Sequence, residues 1–298
     1  MALIIAHLTC YQGSLPQGSP SSPIITNLIC KIMDFRILKL AKKYKLDYSR
    51  YADDLTFSTN NTLFLSQEKI FLKKLTKEIE RAGFKLNAKK TRLQFNSSRQ
   101  EVTGLVVNKK ISVPREYYKN TRAMAHNLYK NGEFIINGVS GNINQLEGRF
   151  AFINQLDKFN NKLEYNTSLN LNNIEYQKYL LSIKRKEKNH HVMLQMLNAR
   201  EKEYQKFLYY KYFYGNKIPT IVTEGKTDVR YIKAALKNLY KDYPNLIEKK
   251  NNEFVFKVFF FKKSKRIKNK DISRYKYFFN LPIDGADSMK KYVQFFFG

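Results

Sequence analysis

The run YSRYADDLTFS, residues 48–58, constrains this chain more than any other. Apolar or aromatic residues alternate with polar ones on either side of Ala52, Asp53 and Asp54, the period of two that half-buried strands require. The run therefore reads as two strands meeting at a tight turn. Such a turn sets Asp53 and Asp54 side by side in a small volume, where the carboxylates repel unless something positive lies between them. Divalent metal ions meet that need, because hard cations take oxygen ligands. Phosphoryl transfer by the two-metal route uses such carboxylates, one ion activating the attacking hydroxyl and the other clamping the leaving pyrophosphate. Asp is also common in hairpin turns for backbone reasons alone, so the pair by itself leaves both readings open.

The surrounding chain is strongly basic. Lys and Arg number 54 against 25 Asp and Glu, a formal net charge of +29. A chain so charged binds polyanions at moderate salt, which makes nucleic acid the first partner to expect. An AT-rich coding sequence would also enrich Lys, Asn, Ile and Phe, and accounts for part of the excess. Hydrophobic residues make up 43% and aromatics 14%, which excludes a disordered basic tail. Cys10 and Cys30 are too few and too far apart for a disulfide scaffold or a cysteine zinc site, pointing to a reducing compartment. The opening MALIIAHLTC has no basic leader, and no apolar run approaches the roughly 18 residues of a membrane span. A cytoplasmic protein with no membrane partner is expected.

At 298 residues two or three compact units are expected. Leu72, Leu75 and Ile79 recur at helical spacing, which predicts a helix over 66–81, with Ser66 as N-cap and Gly83 just past its end. A strand pair is expected between Arg92 and Val113. Helical periods then run over 117–129, 141–159 and 176–214, an economical helical bundle, with the Asn-rich stretch from Asn154 to Asn173 as a solvated loop. The strand IPTIV, a turn at Glu224 to Asp228 and a helix bearing Val229, Ile232, Leu236 and Leu239 complete an α/β unit. The fold class expected is α+β and multidomain, divided at 1–112, 113–215 and 216–298.

Two further motifs flank the Asp pair. Upstream, LPQGSPSSPIITNL fixes a rigid turn through Pro16, Gly18, Pro20 and Pro23, with Gln17 able to approach a base or sugar. Downstream, GFKLNAKKT places Asn87, Lys90 and Thr91 where a cation could meet a triphosphate. A PQG-x-SP turn, a YADD tip and an LN-x-x-KT strand, in that order, resemble the palm of reverse transcriptases. The resemblance implies that Asp53 and Asp54 bind magnesium and, with Lys90 near the pyrophosphate, form the catalytic set. It also implies that Tyr51 and Ala52 flank the primer end, and that Gln17, Gly18 and Asn87 contact nucleotide or template.

The continuation EVTGLVVNKKISVPREYYKNTRAMAHNLYK is similar to the retron reverse transcriptases of bacteria. Val102, Thr103 and Gly104 match the triplet associated there with recognition of the structured RNA, although a Thr-Gly pair also makes a tight β connection. The helices that follow would form a thumb. Arg115, Lys119, Arg122 and His126 fall on one stripe of the first, suited to phosphates of duplex RNA or RNA–DNA hybrid and equally to a solvated face. The family's first metal-binding Asp lies before the PQG turn, whereas only 15 residues precede Pro16 here and none is acidic. The expectation is a truncated chain, inactive alone: a gene fragment, one piece of a split gene, or a misplaced start.

In TEGKTD, Gly225 permits close backbone approach and Asp228 falls near a helix N-terminus. The pattern resembles the first motif of the Toprim fold, with Glu224 as its catalytic acid or base and Asp228 as a companion. Toprim enzymes bind magnesium at a later Asp-x-Asp, and none follows residue 228, so a partial Toprim unit is expected. The function implied is an RNA-directed DNA polymerase of a retron. It would copy a structured RNA into DNA from deoxynucleoside triphosphates with magnesium, in defence against phage, alongside an unspecified accessory protein. The alternative is a catalytically inactive module that binds RNA and DNA and is retained for complex assembly.

Overall fold

A computed structural model describes residues 2–183, 194–223, 226–261 and 274–279. They form a mixed α/β chain of two compact units, Met1–Asn108 and Lys109–Gly298.

The first unit opens with helices α1 (Ala2–Thr9) and α2 (Ser22–Lys43). Pro23 suits the first turn of α2, where a missing N–H costs nothing. Strands β1 (Asp47–Tyr51) and β2 (Asp54–Ser58) pair antiparallel, and α3 (Phe64–Arg81) follows. Cys30, Met33, Ile37 and Ala41 of α2 pack with Phe71, Leu75 and Ile79 of α3, while Tyr48, Leu55 and Phe57 come up from the hairpin. Each fully buried large apolar side chain contributes about 1.5–3 kcal/mol. The other side of α2 leaves Ile24, Leu28, Ile32 and Phe35 largely exposed.

Helix α3 starts two residues before Ser66. Asn61 Oδ1 accepts the Leu63 N–H at 3.1 Å, and the Ser66 hydroxyl donates to the Leu63 carbonyl instead of capping. Gly83, at φ +83°, ends the helix as expected. The LN-x-x-KT segment is a turn rather than a strand. The Asn87 side chain accepts the Lys89 N–H, and its carbonyl accepts those of Lys90 and Thr91, local bonds that compete with a ladder. Between Arg92 and Val113 the pairing shrinks to β3 (Glu101–Val102) and β4 (Leu105–Val106).

The second unit contains α4 (Arg115–Asn131), β5 (Ile135–Ile136), β6 (Val139–Ser140), α5 (Ile143–Thr167), α6 (Ile174–Ile183) and α7 (Ala199–Tyr209). A π-helical turn, Tyr210–Tyr214, extends α7. The Asn-rich stretch is mostly helix, not loop: α5 runs through it, burying Asn154 and Asn161. Asn160 exchanges two hydrogen bonds with the Ile111 backbone, at 3.2 and 2.8 Å. Packing and a capping box at Asn142 and Gln145 override the weak helix propensity of Asn. The helix expected over 176–214 is interrupted. Asn198 caps a new helix, accepting the Glu201 N–H at 2.9 Å while Glu201 accepts the Asn198 N–H at 2.8 Å.

Phe150, Tyr204, Phe207 and Leu208 form the helical core, joined by Tyr277, Phe278 and Phe279 of α9 (Arg274–Phe279). Glu201 is buried beneath them. It receives Lys178 at 2.5 Å and the Tyr277 hydroxyl at 2.6 Å, so its charge is paired rather than isolated. A smaller core gathers Leu236, Ile247, Val258 and Phe260. There β7 (Thr220–Ile221) pairs parallel with β10 (Phe259–Phe260). Between them in the chain run α8 (Lys226–Asn238) and the hairpin of β8 (Ile247–Lys250) and β9 (Glu253–Phe256).

Candidate active site and nucleic-acid interface

The β1–β2 register sets Tyr51 opposite Asp54, leaving Ala52 and Asp53 as a two-residue loop. Strand alternation then sorts the hairpin. Tyr48, Arg50, Leu55 and Phe57 share one face and turn toward the core, while Tyr51 and Asp54 fall on the other with Ser49 and Thr56. Asp53 and Asp54 are both exposed, and Tyr51 is 72% exposed beside them. Ala52 adopts φ +53°, a conformation that a residue with a Cβ rarely takes. Something must hold it there.

Arg50 does so. Its Nη1 donates to the Ala52 carbonyl at 2.9 Å, so the guanidinium grips the peptide immediately before Asp53. Its Nε and Nη2 reach Asp34 Oδ1 and Oδ2, each at 2.8 Å, and Nη2 also reaches Asn27 Oδ1 at 3.1 Å. The Tyr48 hydroxyl donates to Asp34 Oδ1 at 2.7 Å. Helix α2 thereby fixes the tip through a bidentate Arg–carboxylate pair, the strongest geometry available to these groups. Nothing in the spacing of Asn27, Asp34, Tyr48 and Arg50 marks them as partners before the hairpin is folded onto α2.

Hydrogen bonding to Arg50 holds the Asp34 carboxyl below the usual carboxylate range, while burial and the Asp34 contact push the Tyr48 hydroxyl up. A carboxyl depressed in the folded state contributes stability above its unfolded pKa of about 4, and that contribution is lost as pH falls through the folded value. The urea midpoint of the natural chain is expected to drop more steeply below about pH 4 than that of Asp34→Asn. Equal pH profiles for the two would show that the pair does not stabilise the tip.

Upstream of the tip in the chain, the Ser22 hydroxyl donates to the Pro16 carbonyl at 2.8 Å, closing the PQG turn, with Gly18 at φ +85°. Gln17 and Gly18 are exposed there, and Asn87 and Lys90 are exposed on their own turn. No hydrogen bond or ion pair joins Gln17 or Lys90 to the Asp pair among the described residues. Nor do those residues contain a group of three His, Cys, Asp or Glu side chains able to hold a metal. The two tip carboxylates fit magnesium bound as it often is, by one or two carboxylates with water and substrate phosphates completing the octahedron. They do not make a closed two-metal cage.

Val102, Thr103 and Gly104 form the end of the β3–β4 hairpin. Thr103 and Gly104 take φ +47° and +80°, the pattern of a type I′ turn, and both are exposed. On α4, Arg115, Lys119, Arg122 and His126 are exposed, while Thr121, Ala125 and Leu128 face inward. The Arg122 guanidinium lies 5.8 Å from the Tyr118 ring centre. Glu224 lies outside the described residues. Asp228 sits in the first turn of α8. No helix among the described residues is long and apolar enough to cross a membrane.

Residues 8–121 match the reverse transcriptase (RNA-dependent DNA polymerase) family. The chain is 37% identical over 155 residues to the retron Ec86 reverse transcriptase of Escherichia coli, covering 52% of this chain and 45% of that protein. It is 37% identical over 166 residues to the retron Mx162 reverse transcriptase of Myxococcus xanthus, and 33% identical over 154 residues to the retron Mx65 enzyme of the same organism, in each case 34% of the relative. The chain thus spans less than half the length of these curated relatives.

Proposed function

We propose that this protein is an RNA-directed DNA polymerase of retron type, copying a structured RNA into DNA from deoxynucleoside triphosphates. The observation that carries the reading is the exposed Asp53–Asp54 tip, clamped by Arg50, inside a region that matches the reverse transcriptase family. Residues 1–112 would act as a partial palm and 113–215 as a helical thumb. Asp53 and Asp54 would hold magnesium, which when bound supplies the charge that phosphoryl transfer develops against. Tyr51 offers a flat surface to the primer end, Gln17, Gly18 and Asn87 contact nucleotide or template, and Lys90 meets the triphosphate. A cytoplasmic setting and a role in defence against phage follow from the retron reading.

Two carboxylates without a third leave the separation of two ions unfixed. Before the tip the chain offers only Asp34, already held by Arg50, and Asp47. The 298-residue chain is therefore expected to bind structured RNA without extending a primer. A primer-extension assay with magnesium or manganese tests this, and template-dependent synthesis above a blank would refute the inactivity.

The β3–β4 tip and the α4 stripe are assigned different work. Phosphate contacts release counterions and carry no sequence information, so each of Arg115, Lys119 or Arg122 changed to Gln should lower the slope of log affinity against log salt by roughly 1. Thr103→Asn keeps the type I′ turn, which favours Asn-Gly, and removes no charge. It should leave the salt slope unchanged while erasing discrimination between the cognate RNA and a scrambled one. Full discrimination in Thr103→Asn would leave a generic palm with a basic helix.

A second activity is favoured by the parallel β7–β10 pair with α8 between them in the chain, the arrangement expected of an α/β unit. On that basis residues 216–298 are proposed as a partial Toprim-like unit, with Glu224 and Asp228 as its acidic residues.

A further inference from the structure

The basic residues of α8 and the β8–β9 hairpin play no part in the reading above. The register pairs Lys249 with Phe254 and Ile247 with Phe256, so these four side chains share one face. Alternation sends Glu248, Lys250, Glu253 and Val255 to the other. Both hairpin carboxylates thus lie on the far face, where Glu248 is engaged by Lys250 at 2.6 Å and Lys257 at 3.1 Å.

The near face meets α8. Lys233 Nζ lies 5.1 Å from the centre of the Phe256 ring and 4.9 Å from that of Phe260. Lys237 and Lys249 converge on Phe254 from helix and strand, at 5.7 and 5.6 Å. Arg230 is exposed one turn before Lys233 on the same stripe. An aromatic quadrupole orients an ammonium group without cancelling its charge. Among the described residues Arg230, Lys233, Lys237 and Lys249 enter no ion pair. Three lysines are therefore held by aromatic rings on a face free of hairpin carboxylates, two of them drawn to a single ring, with Arg230 exposed beside them.

We infer that this face is a second nucleic-acid-binding surface, holding the phosphodiester backbone by charge without reading its sequence. A membrane surface fits less well. Interfacial binding needs apolar side chains projecting among the cations, whereas here Phe254 and Phe256 are partly buried and Phe260 is buried beneath the lysines.

Lysine acetylation of the 298-residue chain, mapped by mass spectrometry with and without a mixed-sequence DNA duplex, tests the inference. DNA is expected to slow modification of Lys237 and Lys249 several-fold, and an uncharged peptide nucleic acid duplex to slow neither. Lys237→Gln/Lys249→Gln should lower the salt slope of DNA binding by roughly 2. Lys119→Gln/Arg122→Gln should lower it too, but leave the protection of Lys237 and Lys249 intact. Equal acetylation with and without DNA overturns the inference, as does protection by anionic phospholipid vesicles alone. The footprint needs no substitution, so an unstable variant does not blunt it. The duplex is not a template, so failure here leaves the Asp53–Asp54 reading untouched, and failure of synthesis leaves this surface untouched.

Discussion

Arg50→Met is expected to destabilise the first unit by about 3 kcal/mol, far more than an ordinary surface change, and to release the Asp53–Asp54 tip. The Arg50 side chain is only 7% exposed and donates to Asp34, Asn27 and the Ala52 carbonyl. Met fills similar volume but leaves the Asp34 charge with Tyr48 alone, and charge-assisted bonds are worth about twice neutral ones. Asp34 keeps some solvent contact at 29% exposure, which holds the loss below that of a fully buried pair. With urea m-values of about 1–3 kcal/mol/M, the midpoint should fall by roughly 1–3 M. Arg50→Lys should recover part of the loss, since a point charge reaches Asp34 but cannot reproduce the fork. Adding Asp34→Asn to Arg50→Met should cost less than the sum of the single changes, because the second removes a charge the first has stranded. Additive effects would show that the two residues do not act together.

The second large effect concerns synthesis. Expressed from its full genetic locus, the Asp53→Asn protein is expected to lose RNA-templated DNA synthesis by at least about a hundredfold, the scale of several kcal/mol of metal-held charge stabilisation. Its affinity for RNA should stay level or rise, since a negative charge near phosphates has been removed. Asn preserves the size and turn preference of the residue, so the hairpin should persist, as near-unchanged urea unfolding would confirm. Synthesis at a tenth of normal or better would remove Asp53 from the catalytic set.

The sequence made the β1–β2 hairpin legible because its period of two is local and the tip residues sit between matching alternations. Helices α4 and α8 were legible from apolar spacing for the same reason. Arg50 was not, because its partners lie 16 and 23 residues away and become neighbours only when the hairpin packs on α2. The start of α3 was misplaced because the Ser66 hydroxyl turns back to the Leu63 carbonyl instead of capping, while the Asn61 side chain takes the Leu63 N–H in the turn that leads into the helix. The Asn-rich segment misled in the opposite direction. Asn154 and Asn161 are buried in α5 and Asn160 fastens it to Ile111, so tertiary contacts decided what local propensity opposed.

Manganese binding by the 298-residue chain, read from the electron paramagnetic resonance of the free ion, tests the central assignment without requiring polymerisation. Asp53 and Asp54 are exposed and adjacent, enter no ion pair among the described residues, and offer oxygen ligands that manganese shares with magnesium. The account predicts that the natural chain depletes the free-ion signal, that Asp53→Asn/Asp54→Asn binds at least about tenfold more weakly, the effect of losing about 1.4 kcal/mol of ligand interaction, and that Lys90→Gln binds as the natural chain does. Equal depletion by the natural chain and Asp53→Asn/Asp54→Asn would contradict it, leaving the pair as turn residues and the metal centre elsewhere.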